Sequence, residues 1–221
     1  IIHRAVNGAE DDQVIFCGSG ATAAVNKLIS ILGIRLPEQL DDKYQFSAQI
    51  PDDERPVVFI GPYEHHSNEL PWREGIATLV CIPEDARGQL DLQVLAAELV
   101  KYADRPLKIG SFSAASNVTG ICSDIRAIGK LLKLHNALSI WDFAAAAPYV
   151  KIDMNGEDAI DAVFYSPHKF VGGPGTPGVL VIKKQLMTNP VPAVVGGGTV
   201  QYVTPVDHRY IADPVVREEG G

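Results

Sequence analysis

Short apolar runs alternate along this chain with stretches of helical period, and the alternation predicts a parallel sheet covered by helices. Strands are expected at residues 14–17, 57–60, 78–82, 107–112, 137–141, 162–165 and 179–182. Between them, helical periodicity predicts helices over 21–32, 91–102 and 124–135, with a shorter one over 70–76. Asp91 precedes its helix as a plausible cap. Residues 37–55 are polar and read as mostly loop, and 190–198 and 204–214 are rich in proline and glycine and read the same way. No internal repeat or low-complexity segment interrupts the pattern. The expected class is α/β, with a mostly parallel sheet flanked by helices.

Composition narrows this picture. A chain of 221 residues that is 46% hydrophobic can bury a substantial core, and residues 1–221 read as one large domain. A net charge of −8 with no basic run argues against a nucleic-acid surface. No segment approaches the roughly 20 apolar residues of a membrane span. No signal peptide is visible, so an intracellular setting, cytoplasmic or organellar, is expected. Cys17, Cys81 and Cys122 are odd in number and widely spaced, which predicts buried reduced thiols rather than disulfides or a metal site. The chain has no initiator Met and stops soon after a polar loop. It reads as a piece of a longer protein, with N- and C-terminal small-domain parts largely absent.

Candidate chemistry gathers where strands end, the edge at which open α/β sheets bind ligands. Ser166, His168 and Lys169 follow the apolar strand at 162–165. An amine with hydroxyl and imidazole donors beside it suits an aldehyde cofactor carrying a phosphate, because the amine forms a Schiff base and the donors hold the phosphate. Gly18-Ser19-Gly20-Ala21-Thr22 joins a strand to a helix, and helix starts favour phosphate. The same residues fit G-x-G-x-x-A, but a dinucleotide site also needs an acidic residue at the end of the second strand about 20 residues on. That region holds Ile34-Arg35-Leu36-Pro37-Glu38 in a loop. Asp142 closes a strand before four alanines, either as a helix cap or as the partner of a protonated pyridine nitrogen. His65 and His66 suit a polar surface or, for one of them, stacking on a cofactor ring. Asn117 suits a turn or a donor to a ring oxygen.

With these residues in place, the sequence resembles the class V aminotransferase and cysteine desulfurase family of pyridoxal-phosphate enzymes, over residues 12–184. Ser19-Gly20-Ala21-Thr22 is similar to the family's phosphate loop, which implies Ala21 and Thr22 as phosphate contacts. Glu64-His65-His66-Ser67-Asn68, with Pro71-Trp72 after it, resembles the Glu-His-His-Ala-Asn…Pro-Trp segment of group II desulfurases and selenocysteine lyases, which implies ring stacking by His65. Ser116-Asn117-Val118-Thr119-Gly120 implies Asn117 near the ring hydroxyl, and Asp142 matches the aspartate that pairs with the pyridine nitrogen. Ser166-Pro167-His168-Lys169 matches Ser-x-His-Lys, with Ser166 and His168 on phosphate and Lys169 bonded to pyridoxal 5′-phosphate.

The resemblance implies a fold type I large domain, a homodimer and removal of sulfur or selenium from a small amino acid. It also implies that Lys169, His65 and Asp142 are catalytic. Two positions depart from the pattern. Ala145 stands where the family has a glutamine, and the loop after Lys169 is longer, so Thr176 is the shifted candidate for a contact to the neighbouring subunit's phosphate. None of the three cysteines matches the persulfide position, and Arg217 is only a candidate substrate-side residue. A class V aminotransferase or epimerase shares the cofactor motifs, and a catalytically incomplete binding module shares the fold.

Overall fold

An unbroken apolar run such as Val57–Ile60 has no polar face to offer water, so such a strand needs cover on both sides. The computed structural model, which describes residues 1–157 and 160–220, supplies that cover. Gly221, the last residue of the segment that carries Arg217, lies outside the described residues. In chain order the elements are α1 (Ile2–Ala5), β1 (Asp12–Cys17), α2 (Gly20–Ile31), α3 (Glu38–Tyr44), β2 (Val57–Ile60), α4 (His66–Arg73), β3 (Thr78–Cys81) and α5 (Leu92–Lys101). They continue with β4 (Lys108–Ser113), α6 (Ile125–Leu134), β5 (Leu138–Asp142), β6 (Ala162–Tyr165), β7 (Gly178–Lys183), β8 (Val200–Val203), β9 (His208–Tyr210) and α7 (Pro214–Glu219).

The main sheet has 7 strands in the order β1-β7-β6-β5-β4-β2-β3. β7 lies antiparallel to both of its neighbours, β1 and β6, and the remaining pairs are parallel. Side chains alternate between two cores. Val57, Phe59, Phe112, Trp141 and Val163 pack on the face that α5 and α6 cover through Leu95, Leu99, Ile128 and Leu132. Val58, Ile60, Ile140 and Phe164 pack on the other face, under Val25, Leu28 and Ile29 of α2 and Trp72 of α4.

Local signals explain most boundaries. Asp91 accepts from the backbone N–H of Gln93 and Val94, and Asp124 from that of Ala127, so both are helix caps. The structure differs from the expected pattern in several places. Residues 37–55 contain α3, which buries no side chain and therefore leaves no apolar period to read. Asp41 ties that helix to the 3-10 turn Ser47–Gln49 by accepting from the N–H and hydroxyl of Ser47. α4 begins at His66 and already contains Pro71, rather than starting near residue 70. Residues 200–210 form the β8–β9 hairpin, whose apolar Tyr202 and Val203 are exposed and carry no burial alternation. Cys17 is buried as expected, but Cys81 and Cys122 are exposed, because β3 is an edge strand and Cys122 lies in the segment between β4 and α6, bridged to Ala115.

α7 is pinned to α2 by a buried ion pair. Lys27 Nζ lies 3.1 Å from Glu218 Oε2, and the Glu218 side chain is fully shielded from solvent. Asn189 Nδ2 also donates to Glu218, at 2.7 Å, as does the Ala193 N–H. Removing one member of a buried pair strands the other, which typically costs about 3–5 kcal/mol. Glu218→Ala is expected to lower the unfolding free energy by about 3 kcal/mol in urea. An unchanged urea midpoint would show that the pair contributes nothing.

Candidate active site

Parallel strands present their C-terminal ends on one edge, and there the candidate residues meet. One pocket of about 260 Å³ is lined by Gly20, Ala21 and Thr22 after β1, by His65 and Ser67 after β2, and by Ser113 and Asn117 from β4 and its loop. Asp142 closes it from β5, and Ser166, His168 and Lys169 from the turn after β6.

The first corner is held by close backbone approach. Gly20 has φ +63, and a Cβ there would lie 2.7 Å from His168 Cε1, so glycine is needed for both conformation and space. β7 returns beneath it: a Cβ on Gly178 would sit 2.1 Å from Gly20 O. The Ala21 N–H donates to Ser166 Oγ at 2.8 Å, joining the start of α2 to the end of β6. Beyond Ser166, residues Pro167–Lys169 form a single 3-10 turn. The Lys169 N–H bonds to Ser166 O at 3.0 Å, which fixes the residue that carries the amine.

Asp142 is 4% exposed at the end of β5. Its Oδ1 accepts from the Ala144 N–H at 2.7 Å, so the capping role and the pocket position coexist in one side chain. Burial pushes its carboxyl up to about 7. The Ala144 bond opposes that rise, the Glu64 carboxylate adds to it, and the Lys169 amine opposes it. A buried carboxylate short of a positive partner is a receptor for a cation or a strong donor.

His65 caps α4, with Nδ1 accepting from the Ser67 N–H at 3.1 Å. That bond leaves Nε2 to carry the ring proton in the neutral form. Partial burial lowers its pKa, and the positive charges of Lys169 and His66 add to the effect. His66 does not line the pocket. Asn117 lines it from a turn in which Ser116 Oγ accepts from the N–H groups of Val118 and Thr119, both at 3.2 Å.

Behind His65 lies a network that the sequence motifs leave without a role. Glu64 Oε1 accepts from the N–H of Gly61 at 3.2 Å and of Ser113 at 3.0 Å. Its Oε2 accepts from Asn68 Nδ2 at 2.6 Å and Ser113 Oγ at 2.8 Å. Asn68 Oδ1 in turn accepts from Ser111 Oγ at 2.7 Å and Trp72 Nε1 at 3.2 Å. Burial still holds the Glu64 carboxyl above the usual carboxylate range. The spacing of Glu64, Asn68 and Trp72, one helical turn apart, is the signal in the sequence that points here.

Two candidates fall elsewhere. Thr176 Oγ1 donates to Gly173 O at 2.6 Å within its own loop and does not line the pocket. Arg217 is 8% exposed, and its guanidinium donates to the carbonyls of Ile211 at 2.9 Å and Asn189 at 2.7 Å, away from the pocket. Ala145 does line the pocket, with only a methyl group to offer. No group of three or more possible metal ligands occurs among the described residues. No helix among them is long and apolar enough to cross a membrane.

The pocket therefore has hydroxyls, a helix start, an imidazole, an amine and, at the end of β5, a buried carboxylate. This donor set fits pyridoxal phosphate, which carries a phosphate, an aldehyde and a basic ring nitrogen.

Comparison with known proteins finds similarity to cysteine desulfurases. A probable cysteine desulfurase 2 of Mycobacterium leprae is 29% identical over 217 residues, covering 96% of this chain and 47% of that protein. A probable cysteine desulfurase of Pyrococcus abyssi is 33% identical over 165 residues, covering 72% of this chain and 39% of that protein. The chain spans about half the length of such curated relatives. Among solved structures, the apo cysteine desulfurase of Thermococcus onnurineus NA1 shares the fold with a TM-score of 0.75 at 23% identity, over 100% of this chain and 50% of that one. A cysteine desulfurase of Escherichia coli gives a TM-score of 0.73 at 23% identity, over 100% of this chain and 51% of that one. The family model described as Aminotransferase class-V matches residues 2–221. With the match running the length of the sheet and the lysine turn at its edge, the chain belongs to the class-V aminotransferase family.

Proposed function

We propose that this chain is the cofactor-binding part of a pyridoxal-phosphate-dependent cysteine desulfurase that removes sulfur, or selenium, from a small amino acid. The observation that carries the reading is the convergence of the Lys169 amine, the Asp142 carboxylate and the Thr22–Ser166 corner on one pocket. Lys169 would hold the cofactor through its amine and, once released, carry protons to and from the substrate. Asp142 would face the ring nitrogen and hold its proton by ion pairing. His65 would lie over the ring, and Asn117 would donate to the ring hydroxyl without help from Ala145. Ala21, Thr22, Ser166 and His168 would hold the phosphate. When bound, pyridoxal phosphate supplies the electron sink for bond breaking at the substrate's α-carbon.

Two measurements on the full-length chain test the reading. Lys169→Ala is expected to abolish the yellow colour that the wild type gains with pyridoxal phosphate, leaving the far-ultraviolet dichroism intact. Borohydride reduction and peptide mapping should place the label on Lys169, and label on Lys27 or Lys108 would exclude the assignment.

Asp142 makes a prediction in the cofactor-free protein. Its folded carboxyl titrates at about 7, against roughly 3.9 in an unfolded chain. Folding therefore retains a proton between these values, and stability from this group is present below about pH 4 and lost as pH rises through about 7. The loss is on the order of 4 kcal/mol. Asp142→Asn should flatten that dependence and melt above the wild type at pH 8. An equal slope in both proteins would mean that Asp142 is solvated and ionised throughout.

The chain is also proposed to act as a homodimer in which Thr176 approaches the partner's phosphate site. Residues 171–178 leave the pocket edge as an exposed loop, with Val171 and Pro174 in solvent. A monodisperse monomer by light scattering at tens of micromolar, yellow with bound cofactor, would count decisively against the dimer.

A further inference from the structure

One hydroxyl in the pocket departs from the family pattern. Position 67 holds serine within Glu64-His65-His66-Ser67-Asn68, where the pattern that the segment resembles holds alanine. Ser67 is the second residue of α4, and its backbone N–H is taken by His65 Nδ1. The side chain turns toward α2, where Ser67 Oγ accepts from Thr22 Oγ1 at 2.8 Å. Both residues line the pocket. Accepting from Thr22 leaves the Ser67 hydroxyl its own hydrogen to donate.

The surroundings decide what that hydrogen meets. Thr22 stands beside Ala21, whose N–H bonds to Ser166 Oγ, and the backbone at Gly20 lies against His168. Donors thus crowd this corner, while the carboxylate of Asp142 closes the pocket at β5 and disfavours an anion there. The corner of Thr22 and Ser67 offers hydroxyl groups to an anionic group in the pocket. Hydrogen bonds to such a group are stronger than those between neutral partners.

We propose that the Ser67 hydroxyl is an added phosphate ligand of this pocket, donating alongside Ser166 and His168 while it accepts from Thr22. The inference rests on the cofactor reading above and adds a contact that the family pattern does not supply. Without the Ser67 hydroxyl, Thr22 loses the acceptor that orients it.

The test compares three probes on the full-length protein freed of cofactor: pyridoxal phosphate, pyridoxal without phosphate, and inorganic phosphate alone. Ser67→Ala should raise the Kd for pyridoxal phosphate roughly tenfold and leave that for pyridoxal unchanged. Phosphate binding, read by ³¹P line broadening, should weaken in parallel, and Ser67→Thr should restore both. Equal weakening of pyridoxal and its phosphate would assign Ser67 to packing and overturn the proposal. So would a Kd for pyridoxal phosphate within twofold of the wild type. If the wild type binds no pyridoxal phosphate, the cofactor reading fails and the inorganic-phosphate arm alone decides on Ser67.

Discussion

The pocket depends on a carboxylate that does not line it. Glu64 takes four hydrogen bonds from Gly61, Ser113 and Asn68, and so fastens the end of β2, the end of β4 and the first turn of α4 to one another. A buried donor left without a partner costs about 1–3 kcal/mol, so these bonds hold the three elements in place. His65 and Ser67 stand on the α4 side of this fastening, and Asp142 stands one strand beyond Ser113 in register. The geometry of the site is therefore set from behind.

The same carboxylate shapes the electrostatics. Glu64 follows β2 and Asp142 ends β5, with β4 between those strands, and the Glu64 carboxylate makes ionisation of Asp142 harder. Lys169 brings the nearest positive charge, yet it does not cancel the burial of Asp142. The pocket sets this carboxylate at the end of β5 and hydroxyl and imidazole donors near the start of α2.

Much of this was legible in the sequence, for a physical reason. Strands such as Val57–Ile60 and Ala162–Tyr165 are apolar on both faces, and the chain must turn where they stop, so the polar residues after them share an edge. That logic placed Lys169, Asp142, Asn117 and Thr22 at one edge and left His65 and His66 open, and the family resemblance singled out His65. It failed for elements with no buried face. α3 and the β8–β9 hairpin are held by local hydrogen bonds and leave no hydrophobic period. It also failed for long-range polar bonds: nothing in linear order shows that Arg217 meets the carbonyl of Asn189, or that Glu64 meets Ser113. The exposure of Cys81 likewise depends on strand order, which the chain does not spell out.

The reversed direction of β7 has a consequence for how this site tolerates change. Because β7 runs antiparallel to β6, the segment between them leaves and re-enters the sheet at the same edge, with Tyr165 paired to Val179. Its far end is anchored where Gly178 slides under Gly20, and its near end is the Lys169 turn. The stretch between is a tab clamped at both roots. Lengthening or shortening it alters how far the tab projects from the molecule and leaves the lysine and the sheet register where they are.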